Sequence, residues 1–260
     1  ALPYIKEFYG KTVVIKYGGH AMSSDELKRA VMQDVTLMKF VGMNPVVVHG
    51  GGPEINSMLD RLGIASSFVK GLRVTDAETM KIVEMVLVGK VNKEIVSLIN
   101  SCGGSALGIS GKDGRLITAT RKKVIQKDED GQEENLDLGY VGDVKSINPT
   151  IVRSVIEQGY IPVIAPIGAD ENGDTYNINA DYVASEVAIA LKADKFVLLT
   201  DVEGIYSDPE NSREIISSLK LSEISSLIET GIIAGGMIPK IECCARALQA
   251  GVEKAHIIDG

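Results

Sequence analysis

Short apolar runs alternate with segments of helical periodicity along most of this 260-residue chain. The apolar runs are typical of strands that are buried on both faces of a sheet. The predicted strands are Thr12–Tyr17, Pro45–Val48, Ala106–Ile109, Ile161–Ile164, Lys195–Leu199 and Ala255–Ile258. Helices are predicted at Asp25–Val41, after Pro53, and at Thr150–Gln158, Asp181–Leu191, Leu221–Glu229 and Ile238–Ala250. This alternation predicts an α/β fold with a mainly parallel sheet covered by helices on both faces.

One predicted helix, Asp76–Cys102, is longer and more apolar than the others. Thr75 and Glu78 have the spacing of a capping box at its start, and Gly103–Gly104 would end it. About 26 residues at 1.5 Å each would make it about 39 Å long. Its apolar residues cover more than one face, so it must be buried on several sides. Either the helix runs through the core, or its second face meets another subunit.

The segment between Leu116 and Lys145 has a different pattern, with β-like pieces around an acidic stretch at residues 127–134. A run of like charges at a turn is typical of a solvated hairpin tip. We therefore predict a β-hairpin here and assign no chemistry to its acidic tip.

The overall charge argues against some classes of partner. The formal net charge is −8 and the pI is about 5.0, so a general attraction to nucleic acid or to an anionic membrane is not expected. A local basic pocket remains compatible with this balance, and the substrates could themselves be anions.

Cysteine usage and the chain ends point to the cytoplasm. Cys102, Cys243 and Cys244 have neither metal-site nor disulfide spacing, which favours reduced thiols. The start has no apolar signal-peptide region, and no apolar run approaches the roughly 20 residues of a membrane helix. The chain lacks an initiating Met and stops directly after a strand pattern, so we expect further residues at both ends.

Glycine-rich turns follow two predicted strands, as Lys16-Tyr17-Gly18-Gly19 and His49-Gly50-Gly51-Gly52-Pro53. Ligands in open α/β sheets bind at the carboxyl ends of the strands. Glycines there let backbone N–H groups approach an anion, and a following helix N-terminus adds a favourable dipole. Either turn alone could be only a tight connection, but two on separate strands favour a shared anion site.

The common nucleotide-binding and catalytic signatures are absent from the sequence. It has no G-x-x-x-x-G-K-[ST] motif, and no G-x-G-x-x-G in a strand-turn-helix context. It also lacks a G-x-S-x-G elbow, and its three histidines, His20, His49 and His256, have no metal spacing. A bound nucleotide would therefore be held in another way.

Two further segments carry unusual polar residues. In Asn177-Ile178-Asn179-Ala180-Asp181, helix capping explains one polar residue but not all three. In Gly235-Gly236-Met237-Ile238-Pro239-Lys240, Pro239 fits the first turn of a helix. Lys240 would then lie at the positive end of that helix, which is unfavourable unless an anion offsets its charge. Lys240 is therefore a candidate ligand-binding residue.

Taken in order, six segments make the chain resemble the amino acid kinase family over nearly its whole length. The combination most resembles the members that phosphorylate N-acetyl-L-glutamate. The six segments are Lys16-Tyr17-Gly18-Gly19, His49-Gly50-Gly51-Gly52-Pro53, Gly71-Leu72-Arg73-Val74-Thr75, Asn177-Ile178-Asn179-Ala180-Asp181, Leu199-Thr200-Asp201-Val202 and Gly235-Gly236-Met237-Ile238-Pro239-Lys240. Members usually extend beyond both ends of this chain, and many have a small residue in place of His20.

The resemblance implies an αβα sandwich with a mainly parallel central sheet shared by two lobes. Residues 1–175 would bind the acyl amino acid and dimerise, and residues 176–260 would bind ATP. The implied reaction transfers a phosphoryl group from ATP to the side-chain carboxylate of N-acetyl-L-glutamate. The product would be N-acetyl-L-glutamyl 5-phosphate, in arginine biosynthesis.

The resemblance also implies roles for individual residues, which fall into three groups. The catalytic residues would be Lys16, Lys240 and Asp181, and the substrate contacts Gly51, Gly52, Arg73 and Asn177. Those near the nucleotide would be Gly18, Gly19, Thr200, Asp201, Val202, Gly204, Ile205, Tyr206, Gly235 and Met237. No acidic cluster in the sequence suggests a dedicated metal cage, so Mg²⁺ would be held mainly by ATP phosphates and water, without a protein metal site.

Several interactions are left open by the resemblance. Asp76–Cys102 would form a homodimer interface, and Pro3–Lys11 resembles the end of a helix that joins dimers into a hexamer in arginine-inhibited members. Whether arginine inhibits this chain, and whether the nitrogen-signalling protein PII binds it, are both open. The alternatives to the predicted activity are another carboxylate kinase of the family and a non-catalytic nucleotide-binding or storage protein.

Overall fold

Helices and strands alternate along the computed structural model, which describes residues 2–22, 24–127, 133–202, 204–207 and 215–260. The first half contains α1 (Leu2–Phe8), β1 (Thr12–Tyr17), α2 (Asp25–Phe40), β2 (Asn44–His49), α3 (Gly52–Arg61), β3 (Phe68–Val69), β4 (Leu72–Arg73), α4 (Ala77–Glu84), α5 (Asn92–Ser101), β5 (Ala106–Ser110), β6 (Ile117–Arg121) and β7 (Val124–Lys127). The second half contains β8 (Glu133–Leu136), β9 (Val141–Ile147), α6 (Thr150–Glu157), β10 (Ile161–Ala165), β11 (Ile167–Ala169), β12 (Thr175–Ile178), α7 (Ala180–Leu191), β13 (Lys195–Thr200), α8 (Ile224–Glu229), α9 (Met237–Gln249) and β14 (Lys254–Asp259).

A six-stranded parallel sheet forms the centre of the molecule, in the order β14-β13-β1-β2-β10-β5. These are the six strands that the apolar runs predict. Alternate residues along each strand point to opposite faces. One face packs against α2, α3, α4 and α5, and the other against α6, α7 and α9. The predicted α/β fold, an αβα sandwich with a mainly parallel sheet, is therefore confirmed.

A small second sheet lies beside the main one. Strands β11, β12, β9 and β6 close into a barrel, and β3 pairs with β4 as a short hairpin. Strands β7 and β8 pair antiparallel as the arms of the predicted acidic hairpin. Most of its tip, residues 128–132, lies outside the described residues.

The long predicted helix is continuous but not uniform. Helix α4 leads into a π-helical segment, Met85–Val91, and then into α5. The predicted capping box is wrong, because Asp76 is the N-cap and accepts a hydrogen bond from the Thr79 N–H. Thr75 is engaged elsewhere: its hydroxyl donates to the Arg73 carbonyl at 2.9 Å, and its N–H donates to the carbonyl of Leu138.

The apolar residues of this helix divide between the core and the surface. Val83, Leu87, Val91 and Ile95 are buried in the core beside the main sheet. Met85, in contrast, is 64% exposed. None of the helices described is both long and apolar enough to cross a membrane.

Candidate active site

Lys16, Asp181 and Lys240 come from three elements and meet at the carboxyl end of the main sheet. Lys16 lies near the end of β1, Asp181 in the first turn of α7 and Lys240 in the first turn of α9. Nζ of Lys16 is 3.1 Å from Oδ1 of Asp181, and Nζ of Lys240 is 3.1 Å from Oδ2. One carboxylate therefore holds two ammonium groups together, and the cluster keeps an excess of positive charge.

Local structure explains how these side chains reach one another. The side chain of Asn179 caps α7 and accepts a hydrogen bond of 2.8 Å from the Asp181 N–H. Gly18 leaves room for the amine of Lys16, because a Cβ at Gly18 would lie 2.8 Å from that Nζ. The glycine turn after β1 is thus shaped around the lysine side chain.

Asp181 stays ionised although it is largely buried. Burial alone would raise the pKa of its carboxyl, but Lys16 and Lys240 offset this effect, so the pKa lies below its usual range. Lys240 donates a hydrogen bond to Oδ2. Lys16 acts on the other oxygen, Oδ1, mainly through its charge, with its ammonium nitrogen 3.1 Å away. The ammonium group of Lys16 therefore has donors left for a bound anion.

A large cavity of about 870 Å³ opens beside this cluster. Nine of the candidate residues line it, namely Lys16, Gly19, Asp181, Thr200, Asp201, Val202, Gly235, Met237 and Lys240. Its volume lies in the range of about 300–1,000 Å³ that is usual for small-molecule sites. The structure thus brings most of the residues from the Leu199–Val202 and Gly235–Lys240 segments to one site.

A smaller cavity of about 190 Å³ adjoins the large one. All four residues that the resemblance assigns to the acyl amino acid line it: Gly51, Gly52, Arg73 and Asn177. Apolar side chains, among them Leu87 and Val141, form part of its wall. Gly71, Leu72 and Asn179 line both cavities, so the two spaces meet at these residues.

Arg73 is held rigidly at the smaller cavity. Its guanidinium donates to Oγ of Ser66 at 2.7 Å and to Oδ1 of Asn56 at 2.5 Å, and it lies 4.7 Å from the centre of the Phe68 ring. Burial lowers the pKa of Arg73, but a guanidinium remains charged in proteins. A buried, fixed positive charge of this kind suits a carboxylate ligand.

Four residues predicted for the nucleotide, Gly18, Gly204, Ile205 and Tyr206, do not line the larger cavity. Gly204 and Ile205 line a separate cavity of about 570 Å³ between α9 and β14. Tyr206 forms a β-bridge with Ile215. Gly18 lies beside the amine of Lys16, as described above.

The sequence patterns missed several side chains of the larger cavity. Lys70, Lys122 and Tyr182 line it, as does Asn179. Lys70 directly precedes Gly71-Leu72-Arg73, so that motif was a signal for it, whereas Lys122 lies in no motif. With Lys70 and Lys122, the described residues that line this cavity include four lysines and two carboxylates, an excess of positive charge that favours a polyanion.

The carboxylates present fit a Mg²⁺ ion that is shared with phosphates. Within the described ranges, no group of three or more His, Cys, Asp or Glu side chains could hold a metal. Asp201 lies in the larger cavity, and a hydrogen bond from Thr200 holds its pKa below the usual range. Mg²⁺ typically takes one or two carboxylates and completes its shell with phosphate oxygens and water.

Comparison with known proteins gives a consistent result. The profile of the amino acid kinase family matches residues 11–259. The acetylglutamate kinase of Moorella thermoacetica is 65% identical over 260 residues, which cover 100% of this chain and 88% of that protein. The acetylglutamate kinase of Heliobacterium modesticaldum is 62% identical with the same coverage.

A solved structure supports the same conclusion about the fold. The crystal structure of smu.665 from Streptococcus mutans UA159 has a TM-score of 0.78 and 33% sequence identity to this chain. The match covers 96% of this chain and 95% of that one. This chain therefore belongs to the amino acid kinase family, and curated relatives that it matches over its whole length are named acetylglutamate kinase.

Proposed function

We propose that this chain transfers the γ-phosphoryl group of ATP to the side-chain carboxylate of N-acetyl-L-glutamate, as a step of arginine biosynthesis. The product is N-acetyl-L-glutamyl 5-phosphate. The observation that carries the proposal is the pairing of Lys16 and Lys240 on Asp181 where a small arginine-lined cavity meets a large lysine-rich one. The names of the relatives, at 65% and 62% identity, identify the acceptor.

The acceptor needs no general base. A glutamate side chain has a pKa of about 4.3, so it is already ionised at pH 7. One of its carboxylate oxygens bonds to the γ-phosphorus of ATP while the bond from that phosphorus to the ADP oxygen breaks. The barrier therefore comes from bringing two anions together, and alignment and charge neutralisation must lower it.

Lys16 and Lys240 supply the positive charge from two sides of the transferred group. Asp181 keeps both ammonium groups in place and leaves their remaining N–H donors for phosphate oxygens. In the reaction, charge develops on the leaving oxygen of ADP and is spread over the oxygens of the phosphoryl group. Fixed ammonium groups stabilise that charge without reorganising.

The smaller cavity fits the acyl amino acid. Arg73 pairs with the α-carboxylate, and the Asn177 amide, which lines the same cavity, is suited to the acetamido group. The apolar wall, including Leu87 and Val141, is suited to the methyl and methylene groups. Because this cavity meets the larger one at Asn179, the side-chain carboxylate of the substrate can reach the lysine cluster.

The larger cavity is proposed for ATP with its Mg²⁺. Gly19, Gly235 and Lys240 line it and suit the phosphates, with Asp201 available to the metal. Mg²⁺, when bound with ATP, neutralises part of the charge on the phosphate oxygens. The free cysteines Cys102, Cys243 and Cys244 are in keeping with a reaction in the cytoplasm.

We further propose that the enzyme assembles. Met85 is 64% exposed on the long helix, which suits a contact between two copies. Helix α1 and its neighbour Tyr9, which is 71% exposed, suit a second contact that joins dimers into a ring under the control of arginine.

A substrate panel tests the proposal. ADP release is measured with Mg²⁺-ATP and, in turn, N-acetyl-L-glutamate, L-glutamate, L-aspartate and carbamate. The proposal expects N-acetyl-L-glutamate to give the highest kcat/KM. A higher value for another carboxylate identifies a different kinase of the family, and no ADP release with any of them identifies a non-catalytic protein.

A further inference from the structure

A fully buried histidine and asparagine lie directly behind the glycine turn of the smaller cavity. His49 ends β2 and Asn92 begins α5, and each is 0% exposed. Nδ1 of His49 is 2.7 Å from the Gly50 carbonyl oxygen, and Nε2 is 3.2 Å from Nδ2 of Asn92. Buried polar side chains are costly unless they are hydrogen-bonded, so this chain of bonds stabilises one arrangement of the turn.

The partners of the ring fix its tautomer. A carbonyl oxygen can only accept, so Nδ1 of His49 carries the proton that is donated to Gly50. Burial lowers the pKa of His49 to about 4, so the ring is neutral at pH 7 and its Nε2 is an acceptor. The Asn92 amide donates to this Nε2 and to the Val163 carbonyl at 2.9 Å, and its oxygen accepts from Lys93 at 3.1 Å.

The π-helical segment before Asn92 contacts the same turn at a second point. The Asn92 N–H donates to the carbonyl of Leu87, five residues earlier. In an α-helix, residues five apart point about 140° away from each other. The i→i+5 hydrogen bonding of a π-helix places them on the same side. Leu87 thereby packs against Gly51. A Cβ added to Gly51 would lie 2.5 Å from Cδ2 of Leu87.

Peptide geometry gives this arrangement a consequence for the cavity. The C=O and N–H of a trans peptide point in opposite directions. The Gly50 carbonyl is turned toward the buried ring of His49, so the N–H of Gly51 in the same peptide unit points away from that ring. Gly51 lines the smaller cavity, and among the described residues its N–H has no acceptor.

We propose that His49 and Asn92 are positioning residues, which hold the Gly50–Gly51 peptide so that the Gly51 N–H faces the anionic acceptor substrate. Neither residue touches the substrate; each acts through the backbone of the turn. The inference rests on the proposed function, because that function places an anion against this turn. It adds a reason for the π-helical segment, which brings Leu87 and Asn92 to the turn together.

Two substitutions of His49 separate this role from a general role in folding. His49→Asn keeps an N–H donor where Nδ1 was, and His49→Gln keeps an amide where Nε2 was but loses the donor to Gly50. We expect His49→Gln to raise the KM for N-acetyl-L-glutamate about 10- to 100-fold, the usual effect of losing a hydrogen bond to a charged ligand, with little change in the KM for ATP. His49→Asn should have a clearly smaller effect.

Ile99→Val is the matched control, because Ile99 is fully buried on the same helix, α5, away from the turn. It should leave both KM values unchanged. Equal KM values for N-acetyl-L-glutamate in the two His49 variants would overturn the proposal, as would an equal rise in both substrates' KM values.

A second measurement needs no substitution. In protein labelled with ¹⁵N-histidine, NMR at pH 7 should show His49 with its proton on Nδ1 and a bare Nε2. A proton on Nε2 would overturn the proposal even where the variants do not fold. Failure of the unsubstituted enzyme to phosphorylate N-acetyl-L-glutamate would instead contradict the proposed function, and the tautomer of His49 would still be decided by the spectrum.

Discussion

The ammonium group of Lys16 lies 3.1 Å from Oδ1 of Asp181, and neither side chain is more than 10% exposed. The two residues are far apart in the sequence, and the parallel strands of the main sheet bring them together at its carboxyl end. Lys240 pairs with the other oxygen of the same carboxylate at 3.1 Å. The placement of these two lysines thus depends on a single buried aspartate.

Replacement of Asp181 by asparagine should slow the chemical step. The substitution keeps the shape but removes the charge that holds two ammonium groups together, so the lysines repel each other and lose their alignment. We expect kcat to fall by about 10²–10³-fold, as for the loss of one preorganised electrostatic contact. Steady-state kinetics with N-acetyl-L-glutamate and ATP measure this.

Asp194→Asn provides a matched control for that variant. Asp194 also pairs with a lysine, since its Oδ1 lies 2.6 Å from Nζ of Lys11. It directly precedes β13, however, so it lies at the amino ends of the strands, opposite the lysine cluster. Its loss should leave kcat unchanged. A similar fall in kcat for both variants would mean that the effect reports stability rather than the site.

Arg73 should contribute mainly to the binding of the acyl amino acid. Arg73→Ala removes hydrogen bonds to a charged group, so we expect the KM for N-acetyl-L-glutamate to rise about 10- to 100-fold with a smaller change in kcat. Arg73→Lys should not restore the KM, because lysine cannot replace a planar guanidinium held by Asn56 and Ser66. Arg61→Ala, at the exposed end of α3, is the control. Full recovery with lysine would contradict the assignment of Arg73 to the α-carboxylate.

Burial of His49 should make the folded state sensitive to mild acid. Its pKa falls from 6.5 in the unfolded chain to about 4 in the folded one, mainly because of burial. Between these values the unfolded state binds a proton that the folded state does not, so stability is fully present above pH 6.5 and is lost as the pH falls toward 4. The loss should reach roughly 3 kcal/mol, at about 1.4 kcal/mol per pH unit.

The measurement is urea unfolding at pH 7 and at pH 4.5 for the parent chain and for His49→Asn. The variant should lose less free energy of unfolding over this interval, because it has no group that titrates at this position. His20 and His256 are present in both proteins, so their contributions cancel. An identical loss in both would show that His49 is not a buried neutral histidine.

Assembly should depend on the exposed face of the long helix. Met85→Asp would place a charge in the proposed two-fold contact, so sedimentation velocity should show a shift from dimer toward monomer. Tyr160→Asp is the control, because Tyr160 is also exposed, at 43%, but follows α6. A second sedimentation run of the parent chain, with arginine added, tests the proposed ring of dimers. Unchanged sedimentation of Met85→Asp would exclude this face, and activity that ignores millimolar arginine would exclude control by arginine.

The main sheet could be predicted from the sequence because its strands are buried on both faces. Such strands appear as continuous apolar runs, and β10, for example, is buried at every position from Ile161 to Ala165. The barrel of β6, β9, β11 and β12 could not be predicted in the same way. These strands are short, and their pairing joins distant parts of the chain, as in the bridge from Ala169 to Thr118.

Local patterns also failed where tertiary contacts decide the structure. Thr75 and Asp76 are both good N-cap residues, and the bonds from Thr75 to Arg73 and Leu138 leave Asp76 as the cap. The π-helical segment, Met85–Val91, was hidden because a helix that is apolar on several faces gives no clear period. Lys122 lies in no motif and reaches the larger cavity only through the path of the chain after β6.

The product of the reaction tests the central claim most directly. The chain is incubated with Mg²⁺-ATP, N-acetyl-L-glutamate and hydroxylamine, which attacks the carbonyl of an acyl phosphate and releases phosphate. Mass spectrometry should then show the hydroxamate of N-acetyl-L-glutamate at its side-chain carboxyl, in amounts that equal the ADP formed. ADP without the hydroxamate, or a hydroxamate at the α-carboxyl, would contradict the assignment of the side-chain carboxylate as the phosphoryl acceptor.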